Sequence, residues 1–151
     1  MVGGTTNKHM TQNAKVQTMV RHGMSITSAQ IFYIGEHAEC DIAIKSVRSR
    51  VEDADSVAAS AIDVGHGVLS SGAVPDDNSL VDTGVIADDT KEGEEDDFTL
   101  VDTLKNANIK DAKGYPVVPK GLPIYMTCDA TPTTGTITLL IDFFPLDENA
   151  H

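Results

Sequence analysis

The stretch that decides the fold is residues 122–143, which read LPIYMTCDATPTTGTITLLIDF. Apolar side chains occupy alternate positions on both sides of a central loop, DATPTTG. Because successive side chains of a β-strand point to opposite faces, this alternation predicts two strands that each bury one face. We therefore expect a strand–loop–strand unit closing the domain. Its inward side chains are Leu122, Ile124, Met126 and Cys128, followed by Ile137, Leu139, Ile141 and Phe143.

Weaker strand signals precede this unit along the chain. They are short apolar or alternating runs, several of them set among Gly, Asp and Asn, as in an antiparallel fold. A short helix over residues 15–22 stays open as an alternative in the first part of the chain. The predicted strands are residues 29–34, 40–45, 57–64, 80–81, 85–86 and 98–101.

The composition favours β structure throughout. Val, Ile and Thr together far outnumber Leu, and such β-branched side chains suit a pleated sheet better than a helix. Aromatic residues make up only 5% of the chain and Trp is absent, so the core must be aliphatic. No strand signal is followed by a long helical pattern, which disfavours an α/β fold. We predict an all-β fold: an antiparallel β-sandwich, jelly-roll-like, with an extended N-terminal arm.

The 151 residues are enough for a single domain. Residues 1–24 read as an N-terminal arm, since the first fifteen are small and polar without periodicity. Residues 25–146 form the predicted sandwich, with an acidic loop at 88–97. Residues 147–151 are expected to be a C-terminal tail.

The charge is unevenly distributed along the chain. The formal net charge is −12, yet residues 1–50 hold six Lys and Arg against three acidic residues. Such an acidic chain is a poor candidate for binding nucleic acid through its phosphates. The basic residues Lys8, Lys15 and Arg21 lie in the predicted arm, and a polar arm needs a neighbour to offset the entropy of ordering it. We therefore expect these three residues to make assembly contacts.

The two cysteines, Cys40 and Cys128, are too few for a disulfide scaffold and lack metal-ligand spacing. Both are expected to be free, buried thiols. No apolar run has the length of a signal peptide or a membrane span, so we expect no membrane partner and synthesis in a reducing cytoplasm.

One motif resembles a catalytic loop. Residues 80–84, LVDTG, match the apolar-apolar-Asp-Thr-Gly loop of aspartic proteases, in which two Asp residues share a proton. A homodimer could supply the second Asp. However, no Gly-rich flap follows, and the related stretch at Asp102 has Leu104 in place of the Gly. A structural β-turn at Asp82 is the preferred interpretation, and a retropepsin-like protease is the alternative.

Two further motifs are incomplete. His37-Ala38-Glu39 matches half of the zinc deaminase signature, but the Pro-Cys-x-x-Cys half is missing, so we interpret His37 as a turn residue. The loop beginning at Asp88 has the opening rhythm of a calcium site, but Thr99 stands where a bidentate Glu is required. We predict no catalytic residue, no cofactor and no dedicated metal site, and leave weak divalent-cation binding by the acidic loop open.

A family resemblance is more informative than these motifs. Residues 117–143, VVPKGLPIYMTCDATPTTGTITLLIDF, resemble the C-terminal hairpin of small virion proteins of tailed bacteriophages. Residues 61–65, AIDVG, and 77–82, DNSLVD, are similar to an upstream strand and an Asp-rich turn of the same proteins. The acidic stretch 88–97 and the arm 1–15 depart from the pattern.

The resemblance implies a structural role in the virion. The expected function is that of a capsid decoration or cement protein which binds the major capsid protein and stabilises the head. A homo-oligomer, with a trimer favoured, is the expected state, and the virion, assembled in the bacterial cytoplasm, is the expected location. A neck, tail or fibre component, including a glycan-binding one, remains an alternative.

Overall fold

The computed structural model describes residues 9–10, 15–26, 30–53, 60–74, 76–86, 90–101, 115–128 and 135–147. Within these ranges the chain forms β-strands and no helix, and it therefore has no helix that could cross a membrane. The strands are β1 (His9–Met10), β2 (Gln17–Ser25), β3 (Gln30–Gly35), β4 (Ile42–Asp53), β5 (Ser60–His66), β6 (Asp76–Ile86), β7 (Glu95–Phe98), β8 (Val117–Val118), β9 (Ile124–Cys128) and β10 (Thr136–Asp147).

The strands form two antiparallel sheets. In the first sheet β10 lies between β2 and β4, and β7 extends the sheet beyond β4. The two short strands β1 and β8 pair with the end of β10 and the start of β4. The second sheet has the order β3-β9-β5-β6. The prediction of an all-β antiparallel fold is confirmed.

The core lies between the inward faces of the two sheets. Buried side chains of both sheets belong to one hydrophobic cluster, which gives the fold its sandwich-like character. The alternation of residues 122–143 is confirmed, because Ile124, Met126 and Cys128 are buried on β9 and every second residue from Ile137 to Phe143 is buried on β10. Leu122 is partly buried and packs against the same cluster.

The prediction that these two strands form a paired strand–loop–strand unit is wrong. Strand β9 pairs with β3 and β5, whereas β10 pairs with β2 and β4 in the other sheet. The connection between them therefore passes from one sheet to the other. Alternation identifies the buried face of each strand, but two strands that face each other across a core show the same alternation as two strands that pair.

The predicted boundary of the N-terminal arm differs from the structure. Residues 17–24, assigned to the arm, belong to β2, which pairs along β10 from Thr136 to Phe143. The alternative of a helix over 15–22 is also wrong. Strand β2 is an edge strand with Met24 as its only fully buried residue, so it lacks the apolar alternation that identifies a strand from sequence. Of residues 1–14, only His9–Met10 are described.

Other predicted strands are longer or displaced. The segments 80–81 and 85–86 belong to a single strand, β6, and the strand predicted at 40–45 begins only at Ile42 and continues to Asp53 as β4. The expected strand at 29–34 is confirmed as β3. The acidic segment 88–97 is not a loop throughout, because Glu95–Asp97 lie in β7 and pair with β4.

Candidate functional site

The three predicted contact residues are not brought together within the described part of the chain. Arg21 lies on β2, and its Nη1 donates a hydrogen bond of 2.8 Å to the carbonyl oxygen of Tyr33 on β3. Because β2 and β3 are the edges of different sheets, this bond links the two sheets at one side of the molecule. Lys15 is exposed just before β2, and Lys8 lies outside the described residues. Arg21 thus has a role within its own chain.

Four apolar side chains are exposed on or just before the edge strands β2 and β3, and we call this set of residues the edge strip. It consists of Val16, Val20, Ile31 and Tyr33, with exposed fractions between 38% and 42%. The Met19 side chain of β2 lies beside Gly35 of β3, so the two edges are in contact. Edge strands with exposed apolar side chains are suited to contact another chain. Sequence analysis missed this strip because β2 was assigned to the arm.

The outward face of the first sheet carries a charged network centred on Arg48 of β4. Its guanidinium lies 3.1 Å from Glu95 Oε1 on one side and 3.5 Å from Asp142 Oδ2 on the other. Arg50 adds a bond of 2.7 Å to Glu95 Oε2. Hydrogen bonds from Arg50 and Arg48 hold the pKa of Glu95 below its usual range. The network ties β7 to β4 and β10, the three strands that meet here.

Asp142 is the second carboxylate of this network. Burial raises its pKa, but hydrogen bonds from Thr18 at 2.6 Å and Ser46 at 2.8 Å, together with the charge of Arg48, outweigh burial and lower it overall. The carboxylate therefore stays ionised and joins β2, β4 and β10. Alternation in residues 46–52, with Arg48, Arg50 and Glu52 on one face, is the sequence signal that could have revealed this surface.

A hydroxyl, an imidazole and a carboxylate meet at the other end of the same face. His22 Nδ1 lies 3.0 Å from Glu52 Oε1 and 3.1 Å from Thr138 Oγ1, and the Thr138 hydroxyl also bonds directly to Glu52. These hydrogen bonds, with that of Thr138 foremost, hold the pKa of Glu52 below its usual range. In a nucleophilic triad the imidazole uses one nitrogen for the hydroxyl and the other for the carboxylate. Here one nitrogen faces both, which is the geometry of a structural cluster.

A buried Ser–His pair joins β5 and β6. His66 Nδ1 and Ser79 Oγ are 2.7 Å apart, and both residues are less than a tenth exposed. No pattern in the sequence connects these two residues, since they are brought together only by the pairing of the two strands. A serine nucleophile has to be accessible to its substrate, and this pair is buried. We therefore interpret the bond as a structural link that holds this end of β6 against β5.

The protease-like motif lies inside β6. Strand pairing places Ile62 opposite Gly84 and Val64 opposite Val81, so β6 has one extra residue at Asp82–Thr83. Thr83 has a φ of 54°, and its N–H donates to Asp63 Oδ1 at 2.7 Å. This is a β-bulge stabilised by a side chain of the neighbouring strand. The preferred interpretation of a structural β-turn is thus corrected to a bulge within a strand, and Asp82 is exposed on it.

The remaining two motifs have structural partners. His37 Nδ1 accepts a hydrogen bond of 3.3 Å from the N–H of Cys40 and lies 3.5 Å from its sulfur, so the segment folds back on itself as a bend. Cys128 is buried as expected, whereas Cys40 is only partly buried. In the acidic segment, Thr90 Oγ1 donates to Asp96 Oδ2 at 3.1 Å.

The described residues contain no group of three or more His, Cys, Asp or Glu side chains arranged to hold a metal ion. Asp88 and Asp89, which open the calcium-like motif, lie outside the described residues. Comparison of the chain with protein-family models, with curated proteins and with solved structures gives no match, so the function has to be argued from the fold and its surfaces.

Proposed function

We propose that this chain is a structural virion protein of a tailed bacteriophage, and specifically a decoration protein that binds the assembled head and stabilises it. The observation that carries the proposal is the order of the strands. Lettering the eight longer strands B to I along the chain makes them β2, β3, β4, β5, β6, β7, β9 and β10. The two sheets then read B-I-D-G and C-H-E-F.

This order supports the jelly-roll form of the sandwich. A jelly roll has eight strands in two Greek keys, and it is the architecture of viral capsid domains, of lectins and of cupins. A fold shared by three classes does not fix the function by itself. The resemblance of residues 117–143 to phage virion proteins favours the first class.

The surfaces support a role in assembly. The edge strip offers apolar area on the two edge strands, and the charged network joins β4, β7 and β10 on the outward face of the first sheet. A decoration protein needs such surfaces rather than a reactive centre. If it binds only the assembled shell, it stabilises that shell by RT ln(1 + [L]/Kd) at each site, which is about 2.7 kcal/mol at a hundredfold excess over Kd.

The proposal is tested by sedimentation. Purified chain is mixed with head shells assembled from the major capsid protein encoded with it, in the expanded and the unexpanded form, and with isolated tails. Saturable sedimentation with expanded shells, and a higher temperature of shell disruption, are expected. Binding to tails alone would make the chain a tail component, and binding to none of these particles would contradict a structural virion role.

Glycan binding by a tail or fibre protein is the second candidate, and one observation favours it. Tyr33 and Tyr125 lie opposite each other on β3 and β9, with ring centroids 5.8 Å apart at an angle of 69°, and Tyr33 is 42% exposed. Exposed aromatic rings are the side chains on which sugar rings stack. A glycan array probed with wild type and Tyr33→Ala separates the candidates, because only a glycan-binding protein gives signals that the substitution removes.

A further inference from the structure

The segment between β3 and β4 places a thiol beside an imidazole. The sulfur of Cys40 lies 3.5 Å from Nδ1 of His37, and both residues are partly exposed. A bend of the chain brings the two side chains together. A cysteine within hydrogen-bond reach of a histidine nitrogen has the arrangement of an activated thiol, because the imidazole can take up the thiol proton. We call these two side chains the thiol–imidazole pair.

The imidazole presents a lone pair to the thiol. The backbone N–H of Cys40 donates to the same nitrogen, His37 Nδ1, at 3.3 Å. A ring nitrogen that accepts a hydrogen bond carries no proton, so the proton of the neutral imidazole is on Nε2. The sulfur therefore faces a proton acceptor rather than an N–H group, and His37 is oriented as a base toward Cys40.

The thiol–imidazole pair is held in place on both sides. The N–H of Gly121 donates to the carbonyl oxygen of His37 at 2.7 Å, and the imidazole meets the ring of Phe143 edge to face, with centroids 6.0 Å apart. The residue that follows the pair, Asp41, is 3% exposed, and its carboxylate accepts a bond of 2.8 Å from the N–H of Lys120. Because both ends of the segment are anchored, the base and the thiol need little further ordering before they react.

The second cysteine of the chain lies in a different environment. Cys128 is 5% exposed, belongs to the core cluster, and has its sulfur 3.9 Å from the carbonyl oxygen of Gln30. A backbone carbonyl accepts a hydrogen bond but does not take up the proton of a thiol, and burial in apolar surroundings makes a cysteine inert. The two thiols of one chain therefore differ in reactivity, and Cys40 is the reactive one.

We propose that Cys40 is a modification site, at which the thiol reacts with low-molecular-weight disulfides and His37 acts as the base. Nδ1 of His37 takes the proton from the Cys40 sulfur, which attacks one sulfur of the disulfide. A new S–S bond forms to Cys40 while the S–S bond of the reagent breaks. The leaving sulfur keeps the electron pair of that bond and recovers the proton from the imidazolium. The products are a mixed disulfide at Cys40 and one small thiol.

This inference goes beyond the proposed function and does not rest on it, so its test uses the purified full chain alone. The reagent is dithiodipyridine, whose reaction is followed by the absorbance of the released thione, and mass spectrometry of peptides identifies the modified cysteine. The reagent is uncharged, so the exposed carboxylates of the same segment, Glu36 and Glu39, neither attract nor repel it.

His37→Asn is the informative variant, because the asparagine oxygen can accept the bond from the Cys40 N–H but cannot act as a base. At about pH 7 an unassisted thiol is only a few per cent thiolate, so we expect the variant to react about tenfold more slowly than wild type. At about pH 9 the thiolate forms without a base, and the two rates should agree within about twofold. Cys40→Ser is the control, and it should lose the fast reaction.

Wild type alone gives a second comparison, which is independent of how the variants fold. An activated Cys40 reacts faster at about pH 7 in the folded chain than in the chain unfolded by urea, and a faster reaction in urea would refute the site. Circular dichroism establishes that His37→Asn is folded. Equal rates for this variant and wild type at about pH 7 would refute the role of His37. A slowing that is the same at about pH 9 would show that His37 changes only access to the thiol, which contradicts its role as a base.

Discussion

The contact between β6 and β7 gives a sharp prediction, because it depends on the absence of a side chain at Gly84. A Cβ added at this position would lie 2.7 Å from Val81 Cγ1 and 2.8 Å from Phe98 Cδ1, closer than carbon atoms approach in folded proteins. Neither neighbour can move aside easily, since Val81 is 1% exposed and the Phe98 ring is 9% exposed. Gly84 is therefore required by packing, whatever the resemblance of its motif to a catalytic loop.

We expect Gly84→Ala to destabilise the protein by about 1–2 kcal/mol. Overpacking a core costs roughly 1–3 kcal/mol, and the loss of glycine's freedom in the unfolded chain returns about 0.4–1 kcal/mol. Urea unfolding followed by circular dichroism measures the difference in unfolding free energy between variant and wild type. If the unfolding free energy depends on urea concentration with the same slope in both proteins, their unfolded states are equally extended.

Gly35→Ala is the matched control. There the added Cβ would meet Met19 Sδ at 3.2 Å, and a methionine side chain can adjust its position. We expect a change within about 0.5 kcal/mol. A Gly84→Ala variant as stable as wild type would refute the close approach of β6 and β7, which is the contact between the two sheets on this side of the molecule.

Four further predictions concern the core, the protease-like motif, the charged network and the arm. Leu139→Ala should cost about 2–5 kcal/mol in urea unfolding, since Leu139 is fully buried between the sheets, and a cost under about 0.5 kcal/mol would place it outside the core. Neither wild type nor Asp82→Asn should cleave a mixed peptide library, whereas cleavage by wild type alone would establish a protease. Stability should fall as pH drops below about 4.5, because the folded state lowers the pKa of Glu95 and so binds fewer protons than the unfolded state. Glu95→Gln should make this loss of stability smaller, and an identical pH dependence in the variant would contradict the prediction. Deletion of residues 1–15 should leave the sandwich folded, since it removes only the two-residue β1 and spares β2, which begins at Gln17, but it should weaken binding to shells, and undiminished binding would make the arm dispensable.

Much of the fold can be read from alternation in the sequence. Ile124 and Met126 on β9, and Leu139 and Ile141 on β10, are buried as predicted, because a period of two identifies the inward face of any strand with one buried side. The pairing partners cannot be read in this way. Hydrogen bonding between strands distant in sequence leaves no local pattern, and so β9 and β10 were wrongly expected to pair.

The surfaces were less predictable than the core. The edge strip was missed because β2 carries the exposed Val20 as well as the buried Met24, so its apolar residues follow no period of two. The Arg48 network depends on β7 lying beside β4, which no pattern in the acidic segment indicates. The exposure of Val68 and Leu69, which lie between β5 and β6, was also missed, since two adjacent aliphatic residues look like core residues in the sequence.

The most direct test of the proposed role is a cryo-electron microscopy comparison of phage heads with and without this chain. Heads from a phage lacking its gene are reconstructed beside wild-type heads, and the two maps are subtracted. The proposal predicts difference density of a two-sheet domain at fixed positions on the outer lattice. Identical head maps would contradict the decoration role.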